Sequence, residues 1–223
     1  NNQDLDLLDF GYSQSKWVSE QIVLNAMRQG LAARVFRPAL ITSSVCGGGY
    51  NFDIAIRLLA FMLKYGMSTT AQNQVSFTPA DLVANNVVAI SNLPDTVGQT
   101  FHVTRDTYSS MLDITDILGE LTQRRFTSYA LDEFVPLVIE RCQKDDLLFP
   151  LLNFLVRSVD SITAMEFKRY DNCNYRAARA RSPFGKEDPP LEDVVLGIVR
   201  FMRGHGIADG RSVDLLPCGT ARK

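Results

Sequence analysis

The chain has 223 residues, 46% of them hydrophobic and 22% charged, with a formal net charge of -2. That is enough apolar material for the core of one large domain, and too neutral a balance to leave an electrostatic footprint for nucleic acid. No apolar run approaches the about 20 residues of a membrane span, and no charged-then-apolar signal peptide opens the chain.

Taken in chain order, residues 1–10 are acidic and aperiodic and read as a loop. A helix is predicted from Gly11 to Gln29, because Trp17, Val18, Ile22, Val23 and Met27 recur at three- and four-residue steps as one buried stripe. Gly30 stops it. The apolar run Ala33–Thr42, carrying Arg37-Pro38, reads as a buried strand. Ser43–Asp53 holds three consecutive glycines, Gly47 to Gly49, and reads as a loop. A helix from Phe52 to Tyr65, ended by Gly66, comes next. Residues 75–79 are a short strand, Asp81 caps a further helix, residues 98–104 are a strand, and residues 108–123 are an amphipathic helix. Alternating helix and strand predicts an α/β fold with a parallel sheet.

Past residue 125 the character changes. Ala130–Met165 reads as two or three helices forming a cap, residues 168–190 as a long basic connection, residues 191–207 as a last helix, and the rest as a loose tail. The expected division is an α/β core over 1–125, a helical lobe with the last helix over 126–205, and a tail over 206–223. Cys46, Cys142, Cys173 and Cys218 are scattered and there are only two histidines, so no metal site is expected. Free thiols in a reducing, cytoplasmic setting are expected instead.

Tyr12 and Lys16 lie four residues apart at the head of the first helix, hence on one face. A phenol ordinarily keeps its proton up to about pH 10. An ammonium one turn away favours the phenolate and helps the phenol hand its proton to a developing alkoxide. The same ammonium can bond the ribose of a nicotinamide cofactor. The spacing alone is weak, since most such pairs are a solvated helix face. Its context, a glycine stop, a buried strand and Arg37-Pro38, strengthens it.

In that context Gly11-Tyr12-Ser13-Gln14-Ser15-Lys16-Trp17 resembles the catalytic helix of extended short-chain dehydrogenases/reductases. It is most similar to the thioester reductase domains that end nonribosomal peptide synthetases, polyketide synthases, carboxylic acid reductases and aminoadipate reductases. Gly11, Tyr12, Ser15, Lys16 and Trp17 match the motif. Arg37-Pro38-Ala39 stands where the family has Arg-Pro-Gly, Asn51 and Asp53 fall in the following loop, Thr78-Pro79-Ala80-Asp81 resembles Thr-Pro-Val-Asp, and Phe101-His102-Val103 resembles a later strand. The likeness runs from about Gly11 to Leu121 and thins afterwards.

The resemblance implies an extended Rossmann-type reductase with a mostly helical substrate lobe. It implies reduction by NADPH of an acyl or peptidyl thioester held on the phosphopantetheine arm of a carrier protein. The hemithioacetal then collapses to an aldehyde, which some members reduce to an alcohol. Tyr12 would donate the proton, and Lys16 would assist and contact the ribose. Arg37, Pro38, Ala39 and Leu40 would lie by the cofactor, and Gly48, Gly49, Tyr50, Asn51 and Asp53 by the acyl chain. Arg37 pairing with a carboxylate of the fold remains an open alternative. The family's Gly-rich turn and its upstream Ser/Thr have no counterpart here. The expectation is therefore a C-terminal part of such a domain, inactive alone. The alternatives are a non-catalytic lobe that binds substrate or carrier, or another extended reductase such as a nucleotide-sugar epimerase or dehydratase.

Overall fold

The computed structural model describes residues 11–49, 51–157 and 169–207. Helix α1 spans Gly11–Arg28, one residue short of expectation, and Gly30 takes a positive φ of 100° just beyond it. The chain then runs through β1 (Val35–Pro38) and β2 (Leu40–Thr42). The single strand read from the sequence is thus two. Pro38 has no N–H to continue a ladder, and the chain changes partner there. β1 pairs in parallel with β6 (Thr100–Val103), from Val35 opposite Thr100 to Pro38 opposite Val103. β2 pairs in parallel with β5 (Phe77–Pro79). The Ala39 N–H, donating to the Val103 carbonyl at 3.1 Å, carries the first ladder up to the break.

Helix α2 (Ile54–Tyr65) has local start and stop signals. Asp53 accepts from the Ile56 N–H at 3.0 Å, and Gly66 closes the helix in the left-handed conformation with φ 64°. It is apolar nearly all round, as a buried helix must be. Ile56, Leu59, Phe61 and Met62 are buried. β3 (Met67–Thr69) pairs in parallel with β8 (Thr127–Tyr129), and β4 (Gln74–Val75) pairs antiparallel with β7 (Ser109–Ser110). Helices α3 (Ala80–Ser91) and α4 (Met111–Thr122) follow β5 and β7. Ser110 and Asp113 form a reciprocal capping box at the start of α4. Helix α5 covers Leu131–Arg141, α6 covers Cys173–Arg181 and α7 covers Leu191–Gly204. Residues 152–157 are also helical.

One apolar cluster joins α2, α4, α5 and α7 through Leu59, Met62, Ile114, Leu118, Phe134, Val138, Ile198 and Phe201, taking residues from both sides of residue 125. A second joins α3, β6 and α6 through Ile90, Phe101, Val103, Tyr175 and Ala178, with Phe36 stacked on Phe101 at 5.2 Å.

Three expectations are corrected. The stripe of α1 is not buried: no residue of the helix is, and Ile22 is 66% exposed. A three- and four-residue period marks an apolar face but does not say that anything covers it. The basic connection 168–190 contains α6, because Ala177, Ala178 and Ala180 favour helix and Tyr175, Ala178 and Arg179 bury one face. Several of its arginines pair within the fold. Arg179 bonds Asp106 at 2.9 Å and approaches Asp188 at 3.5 Å, Arg176 approaches Asp106 at 3.5 Å, and Arg181 bonds Asp95 at 3.0 Å. Cys142 and Cys173 are free thiols, but Cys46 is disulfide-bonded. Among the described residues no cluster of metal-ligating side chains occurs, and no helix is long and apolar enough to cross a membrane.

Candidate active site

Tyr12 and Lys16 sit in the first two turns of α1, and the Lys16 Nζ lies 5.5 Å from the centre of the Tyr12 ring. The ring is 74% exposed and Lys16 is exposed, so both groups can meet a ligand. Neighbouring exposed hydroxyls bond the helix's own backbone. Ser15 Oγ donates to the Tyr12 carbonyl at 2.8 Å and Ser19 Oγ to the Ser15 carbonyl at 2.8 Å, the local back-bonding of a helix.

One turn past Lys16, Glu20 ties this helix to the sheet. Its two carboxylate oxygens take the Arg37 guanidinium, Nε at 3.0 Å and Nη2 closer still. This is the fork-to-fork geometry that fixes orientation as well as attraction. Arg37 Nη1 also lies 2.9 Å from His102 Nε2. A guanidinium can only donate, so that nitrogen accepts and His102 carries its proton on Nδ1, 3.0 Å from the Asp171 carbonyl. Arg37 is therefore spent on Glu20 and His102, the carboxylate pairing that the sequence left open.

Ser43 Oγ, just after β2, and Thr78 Oγ1, on β5, are buried with no hydrogen-bond partner. Ser43 follows the carboxyl end of β2, the end at which ligands of open α/β sheets bind, and Thr78 lies opposite Ile41 in the same parallel pair.

Gly48 and Gly49 belong to a turn closed by Ser44, whose Oγ accepts from the Gly48 N–H at 2.8 Å. Asn51 is exposed and Tyr50 lies outside the described residues. Asp53 is the α2 cap, and burial pushes its carboxyl up against the lowering effect of the Ile56 and Ala55 N–H groups and of Arg57. Asp81 does not cap α3; it lies in the first turn and its Oδ1 is 3.4 Å from the Val45 N–H.

A cleft of about 420 Å³ elsewhere holds Lys64, Arg124, Asp146 and Arg203, and none of the predicted site residues. There, burial opposes the Asp146 charge. Hydrogen bonds from Lys64 at 2.6 Å, the Gln143 N–H at 2.7 Å and Tyr65 at 2.9 Å outweigh it and hold the carboxyl below its ordinary value. Two residues that hold Arg37, Glu20 and His102, are assigned no site role from the sequence. Glu20 was nonetheless findable, one helical turn after Lys16 on the same face.

Comparison with known proteins bears on these residues. The family described as "Male sterility protein", an NAD-binding family, matches residues 1–87. A nonribosomal peptide synthetase, asaC of Aspergillus flavus, is 34% identical over 149 residues, 66% of this chain and 15% of that protein. In fold, the terminal R domain from the myxalamid PKS-NRPS biosynthetic pathway superposes with a TM-score of 0.83 at 20% identity, over 94% of this chain and 54% of that one. A thiolation-reductase di-domain from an archaeal non-ribosomal peptide synthetase superposes with a TM-score of 0.67 at 20% identity, over 92% and 42%. The chain thus spans about half of the R domain and a much smaller share of the synthetase. An L-2-aminoadipate reductase of Schizosaccharomyces pombe is 32% identical over 70% of this chain and 11% of that protein; with the Tyr12–Lys16 motif, these matches show that the chain belongs to the terminal reductase domain family of such synthetases and reductases.

Proposed function

We propose that this chain supplies the proton-donating pair and the acyl-side wall of an NADPH-dependent thioester reductase. Its substrate would be an acyl or peptidyl chain on the phosphopantetheine thiol of a carrier protein, released as an aldehyde or carried on to an alcohol. The observation that carries this reading is the Tyr12–Lys16 pair, 5.5 Å from nitrogen to ring centre and exposed at the head of α1.

The residues present suit the ribose and nicotinamide end of such a cofactor. Lys16 offers an exposed ammonium for ribose hydroxyls, and the β2–β5 pair carries two buried hydroxyls without partners, Ser43 and Thr78, that a bound cofactor could engage. Pro38, Ala39 and Leu40, where β1 gives way to β2, would lie by the nicotinamide. When bound, NADPH supplies hydride to the thioester carbonyl carbon. Tyr12 gives its proton to the carbonyl oxygen as negative charge develops on it, and Lys16 stabilises the phenolate left behind. Collapse of the hemithioacetal breaks the C–S bond as its hydroxyl proton returns to the Tyr12 phenolate, and the departing thiolate takes a proton from solvent. Glu20 and Arg37 keep the pair in register with the strands. A carrier-protein partner is supported by the thiolation-reductase relative and the synthetase match.

The test is a single-turnover assay with NADPH on an acyl-pantetheine thioester, with a nucleotide sugar as the competing substrate class. Aldehyde and free thiol in equal amounts support the reading. Turnover of the nucleotide sugar alone refutes it.

A further inference from the structure

We propose that α7 is a clamp that positions residues 44–49 and Phe52 of the loop, and that Gly197 and Phe52 are positioning residues for acyl-chain selectivity. The proposal rests on the reading that this loop lines the acyl channel.

One face of α7 meets the loop over more than two turns. A Cβ on Gly197 would stand 2.5 Å from the Ser44 carbonyl oxygen and 3.0 Å from the Val45 Cα, so the loop backbone rests directly on bare helix. One turn on, Arg200 Nη1 donates to the Val45 carbonyl at 3.2 Å. Gly47, at φ 83°, is so close that a Cβ there would come 2.5 Å from the Arg200 Cβ, and a Cβ on Gly49 would touch the Phe201 ring at 3.4 Å. At the end of the helix the Phe52 ring packs on Phe201 at 5.6 Å and edge-on against His205 at 5.3 Å. His205 lies 4.3 Å from the Phe201 ring and is fixed by its Nδ1, 2.8 Å from the Phe201 carbonyl. Residues 197, 200–201 and 205 share one face, and together they hold 44, 45, 47, 49 and 52. Inside the loop, the Ser44 and Gly48 backbones bond each other at 2.9 Å and the Gly47 N–H donates to the Ser44 carbonyl at 2.8 Å. The loop is thus a rigid turn whose position α7 dictates.

A methyl at 197 must push the turn off the helix, because backbone at 2.5 Å cannot give way as a side chain can. Removing the Phe52 ring frees the other end with no clash. The test compares Gly197→Ala and Phe52→Leu with Gly204→Ala, whose Cβ meets nothing within 4 Å. In the full chain, hydrogen exchange of the amides of 44–48 is expected to speed by about tenfold in the first two variants and to stay unchanged in the third. In the complete reductase, the ratio of kcat/KM for a long over a short acyl-pantetheine thioester is expected to shift by about threefold or more. The KM for NADPH stays fixed, which a general loss of structure would not allow. Exchange and selectivity ratio both within about twofold of wild type in Gly197→Ala and Phe52→Leu overturn the proposal. If the wild-type protein reduces no acyl thioester, the functional reading fails, and the exchange result alone decides the clamp.

Discussion

Replacing Glu20 with Gln removes the charge that holds α1 against β1 and changes nothing else in size. Helix α1 has no buried residue, so this bidentate contact is a large part of its seat. A charge-assisted pair of this geometry contributes about 1.5–3 kcal/mol when sheltered. Here the Arg37 side chain is 36% exposed and that of Glu20 20%, so solvent screening brings the value down to about 1 kcal/mol. That corresponds to about fivefold in the equilibrium holding α1 down. Arg37 keeps His102 as a partner, so the strand side stays put and the helix side loosens. Trp17 is the single tryptophan of the chain and lies on α1, so its emission reports this helix alone. The variant is expected to show red-shifted Trp17 emission, faster amide exchange over Trp17–Ile22, and denaturant stability reduced by at most about 1 kcal/mol. Trp17 emission and exchange identical to wild type, with no loss of stability, would refute the idea that the pair seats the helix.

Other outcomes follow from the same structure. Asp53 acts as a cap whose carboxyl pKa is pushed up by burial, so Asp53→Asn, also a good cap, should keep stability and activity, while Asp53→Ala loses about 1 kcal/mol in urea melts; loss of activity in the Asn variant alone would make the carboxylate a substrate contact. The Asp146 carboxyl is held below its ordinary value, so its stabilisation is present above about pH 4 and fades as pH falls further, through the folded-state value. Asp146→Asn should therefore flatten the acid limb of the stability curve, and an unchanged limb rejects the assignment. Phe101 is fully buried and stacked on Phe36, so Phe101→Ala should lose about 3–5 kcal/mol by calorimetry.

What could be read from the sequence was local. α2 and α4 carry their start signals within a few residues, Asp53 and Ser110, and Gly66 marks the end of α2. Tyr12 and Lys16 meet because a helix brings residues four apart together. What could not be read was long-range. Arg37 finds His102 across 65 residues, and Gly47 finds α7 more than 150 residues later. Nothing in the spacing of either announces the contact. α6 was hidden by its polarity and the prolines that follow it, although one of its arginines, Arg179, is buried against Asp106 and Asp188. β8, three residues with two of them exposed, has no alternating pattern to detect.

Since the Tyr12 ring is 74% exposed on a helix with no buried residue, Tyr12→Phe removes one hydroxyl and no packing. The direct measurement is single-turnover thioester reduction by this variant in the complete reductase, alongside its NADPH affinity and melting temperature. A rate about 10²–10⁴-fold lower, with affinity and melting unchanged, is the predicted result. A rate within about threefold of wild type contradicts proton donation by Tyr12 and with it the central claim.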